Sequence, residues 1–196
     1  MTLSSLARLF RRTPPEAGAA ALYAGLLERA RAPVFYAALG VPDTLDGRFE
    51  LVALHAFLLM HRLKRVDGPE RALAEAILET MIGDFDRSLR ELGTGDLSVG
   101  REVRRMAEAF YGRAAAYERG LATGRAALGD ALARNLYGTT TAAPASLATM
   151  ALYVETALAA LRRAPGDELR AGHVDFGPLP TVEPVGAEAP EAGAAR

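Results

Sequence analysis

The sequence predicts an all-α, single-domain bundle of roughly six or seven helices with an extended, Pro/Gly-rich C-terminal tail. Three observations carry that expectation. Apolar residues recur at spacings of three and four through most of the 196 residues, the period of a helix rather than of a strand. Glycine and proline fall between those periodic stretches, where helices start and stop. No convincing pair of alternating strands is present. The length suits one domain, since roughly 150 residues bury about two thirds of their chain surface without a metal or disulfide staple.

The elements follow in order. Residues 1–12 are amphipathic: Leu3, Leu6, Leu9 and Phe10 share one side, Arg8, Arg11 and Arg12 are basic, and no acid precedes Glu16. That pattern suits a short helix on an anionic membrane surface. An organellar transit peptide and a terminal helix packed on the body fit it as well. A first helix runs from residue 15 to about 31, and Pro33 breaks it and opens a short helix over 34–39. Gly40-Val41-Pro42-Asp43 is a turn, because Pro fixes φ and Asp bonds its own backbone.

The central helix spans about 46–65. Phe49, Val52, Ala53, Ala56, Met60 and Leu63 form its main face, and Leu51, Leu54, Phe57 and Leu58 make it apolar almost all round. Such a rod belongs in the middle of a bundle. Residues 69–92 carry a stripe of Leu73, Ile77, Met81, Phe85, Leu89 and Leu92, closed by Gly93 as C-cap. A helix over about 99–122 faces the core with Val103, Met106, Ala107, Phe110, Ala114 and Tyr117. Further helices cover 125–137 and run from Pro144 to about residue 163. Five prolines after residue 164 then define the tail, in which His173-Val174-Asp175-Phe176 alternates polar and apolar and can dock as a strand-like segment. The expected organisation is residues 1–32 as amphipathic and linking helices, 33–164 as the all-α domain and 165–196 as flexible or extended tail.

Composition excludes several function classes. There is no cysteine, hence no disulfide framework, thiolate metal site or cysteine nucleophile. A net charge of -1 gives no electrostatic case for specific nucleic-acid binding. No uncharged apolar stretch reaches the roughly 18 to 20 residues of a membrane span. Of the 23 basic residues only Lys64 is a lysine. Arginine and alanine codons are GC-rich, so the skew reads first as mutational bias. The Glu-x-x-His, His-Glu-x-x-His, phosphate-loop and Gly-x-Ser-x-Gly patterns are all missing. Asp84 and Asp86 stand two apart on a helix and point to different sides. The expectation is therefore no catalytic residue, no metal site and no cofactor.

Three basic or aromatic groups stand out. Arg48, His55 and Arg62 are spaced by seven and form a cationic seam on the central helix. They either pair with acids such as Glu75, Asp84 or Asp86, or line a pocket for an anionic group. Arg101, Arg104 and Arg105 cluster near the start of the 99–122 helix, against its macrodipole. They suit an external acidic or lipid partner, or a solvated face paired with Glu102 and Glu108. In Phe110-Tyr111-Gly112-Arg113 the glycine costs roughly 1 kcal/mol against Ala, which close approach of an internal helix or a partner backbone would explain.

Three ordered stretches carry a resemblance. They are Gly40-Val41-Pro42-Asp43-Thr44-Leu45-Asp46-Gly47-Arg48-Phe49-Glu50, Asp86-Arg87-Ser88-Leu89-Arg90-Glu91-Leu92-Gly93-Thr94-Gly95-Asp96-Leu97-Ser98-Val99, and Met106-Ala107-Glu108-Ala109-Phe110-Tyr111-Gly112-Arg113. With Phe35-Tyr36 and the His55 helix, they make residues 33 to 160 resemble the ubiquinol–cytochrome c chaperone family of mitochondria and alphaproteobacteria. The resemblance implies an all-α, non-enzymatic assembly chaperone. Its partners would be cytochrome b or other subunits of the bc1 complex, its location the cytoplasm, and its attachment peripheral on the cytoplasmic face of the inner membrane. The Arg- and Ala-rich composition favours a bacterial member, which turns residues 1–12 from import signal into membrane-surface contact. The expected client surface is Phe35, Tyr36, Arg48, Phe49, Arg101, Arg104, Arg105, Tyr111 and Arg113, beside the loop 93–98. Two other readings stand beside it. One is a bundle binding haem or a quinone along the Arg48–His55–Arg62 seam, and the other is a lipid-phosphate enzyme using Asp84, Asp86 and Asp96.

Overall fold

The computed structural model describes residues 15–64 and 69–181. Among these the chain is helical, with eight helices: α1 (Pro15–Ala30), α2 (Pro33–Ala37), α3 (Leu45–Lys64), α4 (Pro69–Glu91), α5 (Asp96–Thr123), α6 (Arg125–Asn135), α7 (Pro144–Arg163) and α8 (Gly166–Arg170). The all-α expectation holds, and six of the eight helices are longer than two turns. The amphipathic stretch 1–12 and its membrane contact lie outside the described residues.

α3 is the axis of the bundle. Its neighbours are α1, α4, α5 and α7, which accounts for its apolar circumference. Leu51, Leu54, Ala56, Leu58, Leu59 and Leu63 are all fully buried. At roughly 25 cal/mol per Å² of apolar surface, burying such a leucine contributes about 1.5–3 kcal/mol. Thr44 starts α3, its hydroxyl accepting a hydrogen bond from the Gly47 amide at 3.2 Å. α1 crosses α3 and α4, and α8 closes over α1 and α4. Ala19, Leu22, Tyr23, Leu26 and Ala30 of α1 therefore enter the same core as α3.

α5 begins three residues earlier than its periodicity suggested, at Asp96. Arg101, Arg104 and Arg105 consequently lie beyond its first turn, where the macrodipole has little hold on them. α5 and α6 meet at Gly124, whose φ of 128° lets the chain reverse. Gly120 allows the close approach, since a Cβ there would come within 2.9 Å of the Leu128 Cα.

α7 is long and apolar enough to cross a membrane by length and composition, with a mean hydropathy of 1.3. The sequence reading passed over it because Glu155 and the terminal arginines interrupt the run. In the fold its apolar side is consumed internally: Met150, Val154, Ala157, Leu158 and Leu161 are buried against the bundle. After α7 the tail opens with the single turn α8, and residues 172–181 run extended across the body. Phe176 is only 1% exposed, so the alternating 173–176 stretch docks.

Candidate functional site

The three residues of the supposed seam do not meet. One heptad advances a helix by about 10 Å, so residues sharing a face need not bring their tips together. Arg48 sits exposed at the start of α3 and donates from Nε to Asp43 Oδ1 at 2.7 Å. That bond holds the Asp43 carboxyl below its usual range. Arg62, at the other end, caps α7: Nε and an Nη donate to the carbonyls of Leu161 and Ala164 at 2.9 and 3.0 Å. Neither arginine uses Glu75, Asp84 or Asp86. Asp84 instead accepts from the Tyr23 hydroxyl at 3.0 Å, while Asp86 and Asp96 both turn to Arg90. The three carboxylates proposed for phosphate chemistry are thus divided, Asp84 between Tyr23 and Arg87, and Asp86 with Asp96 on Arg90.

His55 is fully buried between them. Its Nδ1 lies 2.7 Å from the Leu51 carbonyl, which can only accept, so Nδ1 carries the proton. Nε2 is then an acceptor, taking the Tyr153 hydroxyl at 2.8 Å. The rings of Phe35, Tyr153 and Phe176 stand 5.1–5.7 Å from one another or from His55. Both ring nitrogens are occupied by the protein itself, so neither is free to ligate a haem iron in this packing.

Burial depresses the His55 pKa to about 4, from 6.5 in an exposed histidine, with Arg29 adding to the effect. Between those values the unfolded chain binds a proton that the folded chain refuses. Stability is therefore complete above about pH 6.5 and declines as the pH falls toward 4. Urea unfolding from pH 7 to 4 should show this decline, and His55→Gln should flatten it; an unchanged slope in the variant would refute the assignment.

A different place carries the open surface. The N-terminal turns of α3, the C-terminal half of α4, the first half of α5 and the 134–139 turn enclose a cleft of about 390 Å³. Its floor is apolar: Phe49, Phe85, Leu89, Met106 and Leu136. Leu45 and Leu92 stand at its mouth, 69% and 66% exposed. Arg105, Arg113 and Arg134 line it together with Asp46 and Glu50.

The wall of the cleft is a buried ion pair. Arg113 reaches from α5 to Glu50 on α3 with a two-pronged contact, Nε donating at 2.6 Å to one carboxylate oxygen and an Nη to the other. Its third nitrogen donates to the Ala109 carbonyl at 3.0 Å. The guanidinium also lies 5.2 Å from the centre of the Phe49 ring, which in turn packs on Phe85 at 5.7 Å. Charge and aromatic face are thereby fixed together at one edge of the cleft.

Of the residues expected to contact a client, Phe49, Arg105 and Arg113 line this cleft. Tyr111 is half exposed one turn away, above hollows lined by Met60 and Lys64. Arg101 and Arg104 are exposed and without a partner among the described residues, and Arg105 pairs with Glu102 at 2.8 Å. Phe35 is withdrawn into the core, and Tyr36 donates its hydroxyl to the Ala30 carbonyl at 2.9 Å. Phe35 packs against His55 and Tyr153, while Tyr36 stays half-buried. Gly112 is exposed, with open space where a Cβ would stand. Among the described residues no helix approaches it. Sequence reasoning missed Glu50, Phe85, Leu89 and Arg134 as cleft residues. A carboxylate such as Glu50 within an apolar helix was the available signal, because it demands a cation from elsewhere.

Comparison with known proteins bears on the same region. Residues 37–176 match the family described as Ubiquinol-cytochrome C chaperone. The ubiquinol-cytochrome-c reductase complex assembly factor 1 of Xenopus laevis is 26% identical over 159 residues, covering 81% of this chain and 80% of its own length. The Mus musculus assembly factor is 23% identical over 164 residues, 83% of this chain and 56% of that protein. The crystal structure of the Cbp3 homolog from Brucella abortus superposes with a TM-score of 0.76 at 37% identity, over 88% of this chain and 97% of the other. The matched stretch contains α3, α4, α5 and α7, hence the whole cleft, and it ends on the docked Phe176. The chain belongs to the ubiquinol-cytochrome C chaperone family.

Proposed function

We propose that this protein is a non-enzymatic chaperone for assembly of the ubiquinol–cytochrome c reductase complex, and that it holds an apolar segment of cytochrome b in the cleft beside Arg113. The observation that carries the reading is the cleft itself, an apolar floor open to solvent and lined by arginines. A chaperone for a membrane subunit needs such a surface, able to cover an apolar helix and to release it. The likeness to assembly factors supports the choice of complex. Arg101, Arg104 and Tyr111 extend the surface along α5, and peripheral attachment at the cytoplasmic face of the inner membrane would bring the cleft to its client.

The test is a strain lacking this protein, complemented with the wild-type chain or with Met106→Arg. Met106 is half-buried at the cleft floor, so the longer charged side chain can reach solvent while blocking the apolar surface. Deletion is expected to lower assembled complex at unchanged transcript level, and Met106→Arg to restore less than about a tenth of it, the effect of a loss near 1.4 kcal/mol in client binding. Normal complex in the deletion strain, or full rescue by a stably produced Met106→Arg chain, would defeat the proposal.

A further inference from the structure

The segment 172–181 is tied by backbone only at its start, where the Gly172 and His173 amides donate to the Leu169 and Glu168 carbonyls of α8; beyond that point side chains alone hold it. Among the described residues no backbone hydrogen bond joins positions 174–181 to any helix. Phe176 is its anchor, inserted edge-on to the His55 ring at 5.2 Å and beneath the Arg29 guanidinium at 5.9 Å. Val174 lies over Gly25, where a Cβ on the helix would press within 2.8 Å of it. Asp175 remains 81% exposed; its Oδ1 accepts from the Gly177 amide at 2.7 Å and makes a long ion pair to Arg29, at 4.0 Å. Gly172 and Gly177 bracket the segment with φ of 90° and 74°, conformations suited to glycine. Immediately beside it runs a groove of about 570 Å³, lined by Gly25, Glu28, Arg29, Arg31, Pro33 and Leu179.

One further feature marks this seat as built for a ligand. One Nη atom of Arg29 is buried without a hydrogen-bond partner among the described residues, although the guanidinium also interacts with the Tyr153 hydroxyl. A buried guanidinium nitrogen left unpaired is costly, and a carboxylate drawn closer than Asp175 would satisfy it. Arg31, exposed on the same groove, adds positive charge beside the end of α1.

We infer that residues 172–181 are a displaceable internal ligand, and that the seat under Phe176 is a binding groove for an extended partner segment in which an acidic residue precedes an aromatic one. Arg29 receives the carboxylate, the Phe35–His55–Tyr153 aromatic floor receives the ring, and Gly25 leaves room for a small apolar residue two positions earlier. The long helices of the body stay in place, because positions 174–181 contribute no backbone bond to them. This site is separate from the cleft beside Arg113 and does not depend on the identity of the client there.

The probe is a labelled peptide of residues 172–181, titrated by fluorescence anisotropy into the full-length chain. Phe176→Ala empties the seat and should bind it at least about tenfold more tightly than wild type, whose own segment competes. Arg29→Gln in that background, or alanine for phenylalanine in the peptide, should each remove about tenfold of the affinity. Equal binding to the two chains, or none to Phe176→Ala, overturns the inference. Should Phe176→Ala lose the near-ultraviolet circular dichroism of the wild type, the Val174→Ala, Asp175→Asn chain takes its place under the same criteria. A wild-type dimer that dissociates on adding the peptide would assign the seat to exchange between two copies and would overturn the partner-segment reading.

Discussion

Arg113→Ala is expected to lower the unfolding free energy by about 3 kcal/mol, the lower end of the range for breaking a buried ion pair from one side, because this pair is only part-buried. The reason lies in the asymmetry of the pair. The Glu50 side chain is 9% exposed and that of Arg113 is 24% exposed, so the carboxylate is the group that cannot return to water. Without Arg113 it is left as an unpaired carboxylate in the wall beside Phe49. Arg113→Lys keeps the charge but loses the two-pronged contact and the stacking on Phe49, and should fall between. Replacing both partners, as Glu50→Leu with Arg113→Met, should recover most of the loss, because neither charge then remains buried. Urea unfolding of the four chains checks this. Additive losses in the double variant would mean that the pair is not coupled as described.

Gly47→Ala is the second large effect, and its sign runs against local propensity. In a helix interior alanine is favoured over glycine by roughly 1 kcal/mol. Position 47 is buried in the first turn of α3, and a Cβ there would run into the carbonyl oxygen of Pro42. Backbone cannot yield as a side-chain tip can, so the 40–44 turn must shift or the helix must start later. The expected cost is about 3 kcal/mol or more after the propensity gain is overcome, at the upper end of overpacking effects. Gly112→Ala, on the same physical scale, should instead stabilise, since open space surrounds it and α5 gains propensity. Thermal unfolding of the two variants should move in opposite directions. A stabilising Gly47→Ala would show that the turn does not pack against α3 as described.

Much of this architecture was legible in the sequence because helix period and helix punctuation are local. The stripe from Leu73 to Phe85 and the all-round apolar surface of α3 identified core elements correctly, as did Gly93 and Pro144 at their boundaries. The lower end of the same stripe was not legible as a cleft. Leu89 and Leu92 have the spacing of core residues, yet the 134–139 turn stops short of covering them. Whether a stripe is covered depends on elements distant in sequence. The Glu50–Arg113 pair spans 63 positions and the His55–Tyr153 bond 98, so neither leaves a spacing signal. The even spacing of Arg48, His55 and Arg62 suggested a site that the fold does not make, because a shared helical face ran from solvent through the core to the cap of α7.

The cleft beside Arg113 is the central claim, and a photo-crosslinking amino acid at Met106 tests it most directly. Cells producing that chain should yield, on irradiation, a covalent adduct containing cytochrome b, while the same amino acid at Leu152, exposed on α7, should not. Adducts with cytochrome b from Leu152 but none from Met106 would contradict the account, as would a Met106 chain that crosslinks efficiently and only to proteins outside the ubiquinol–cytochrome c reductase complex.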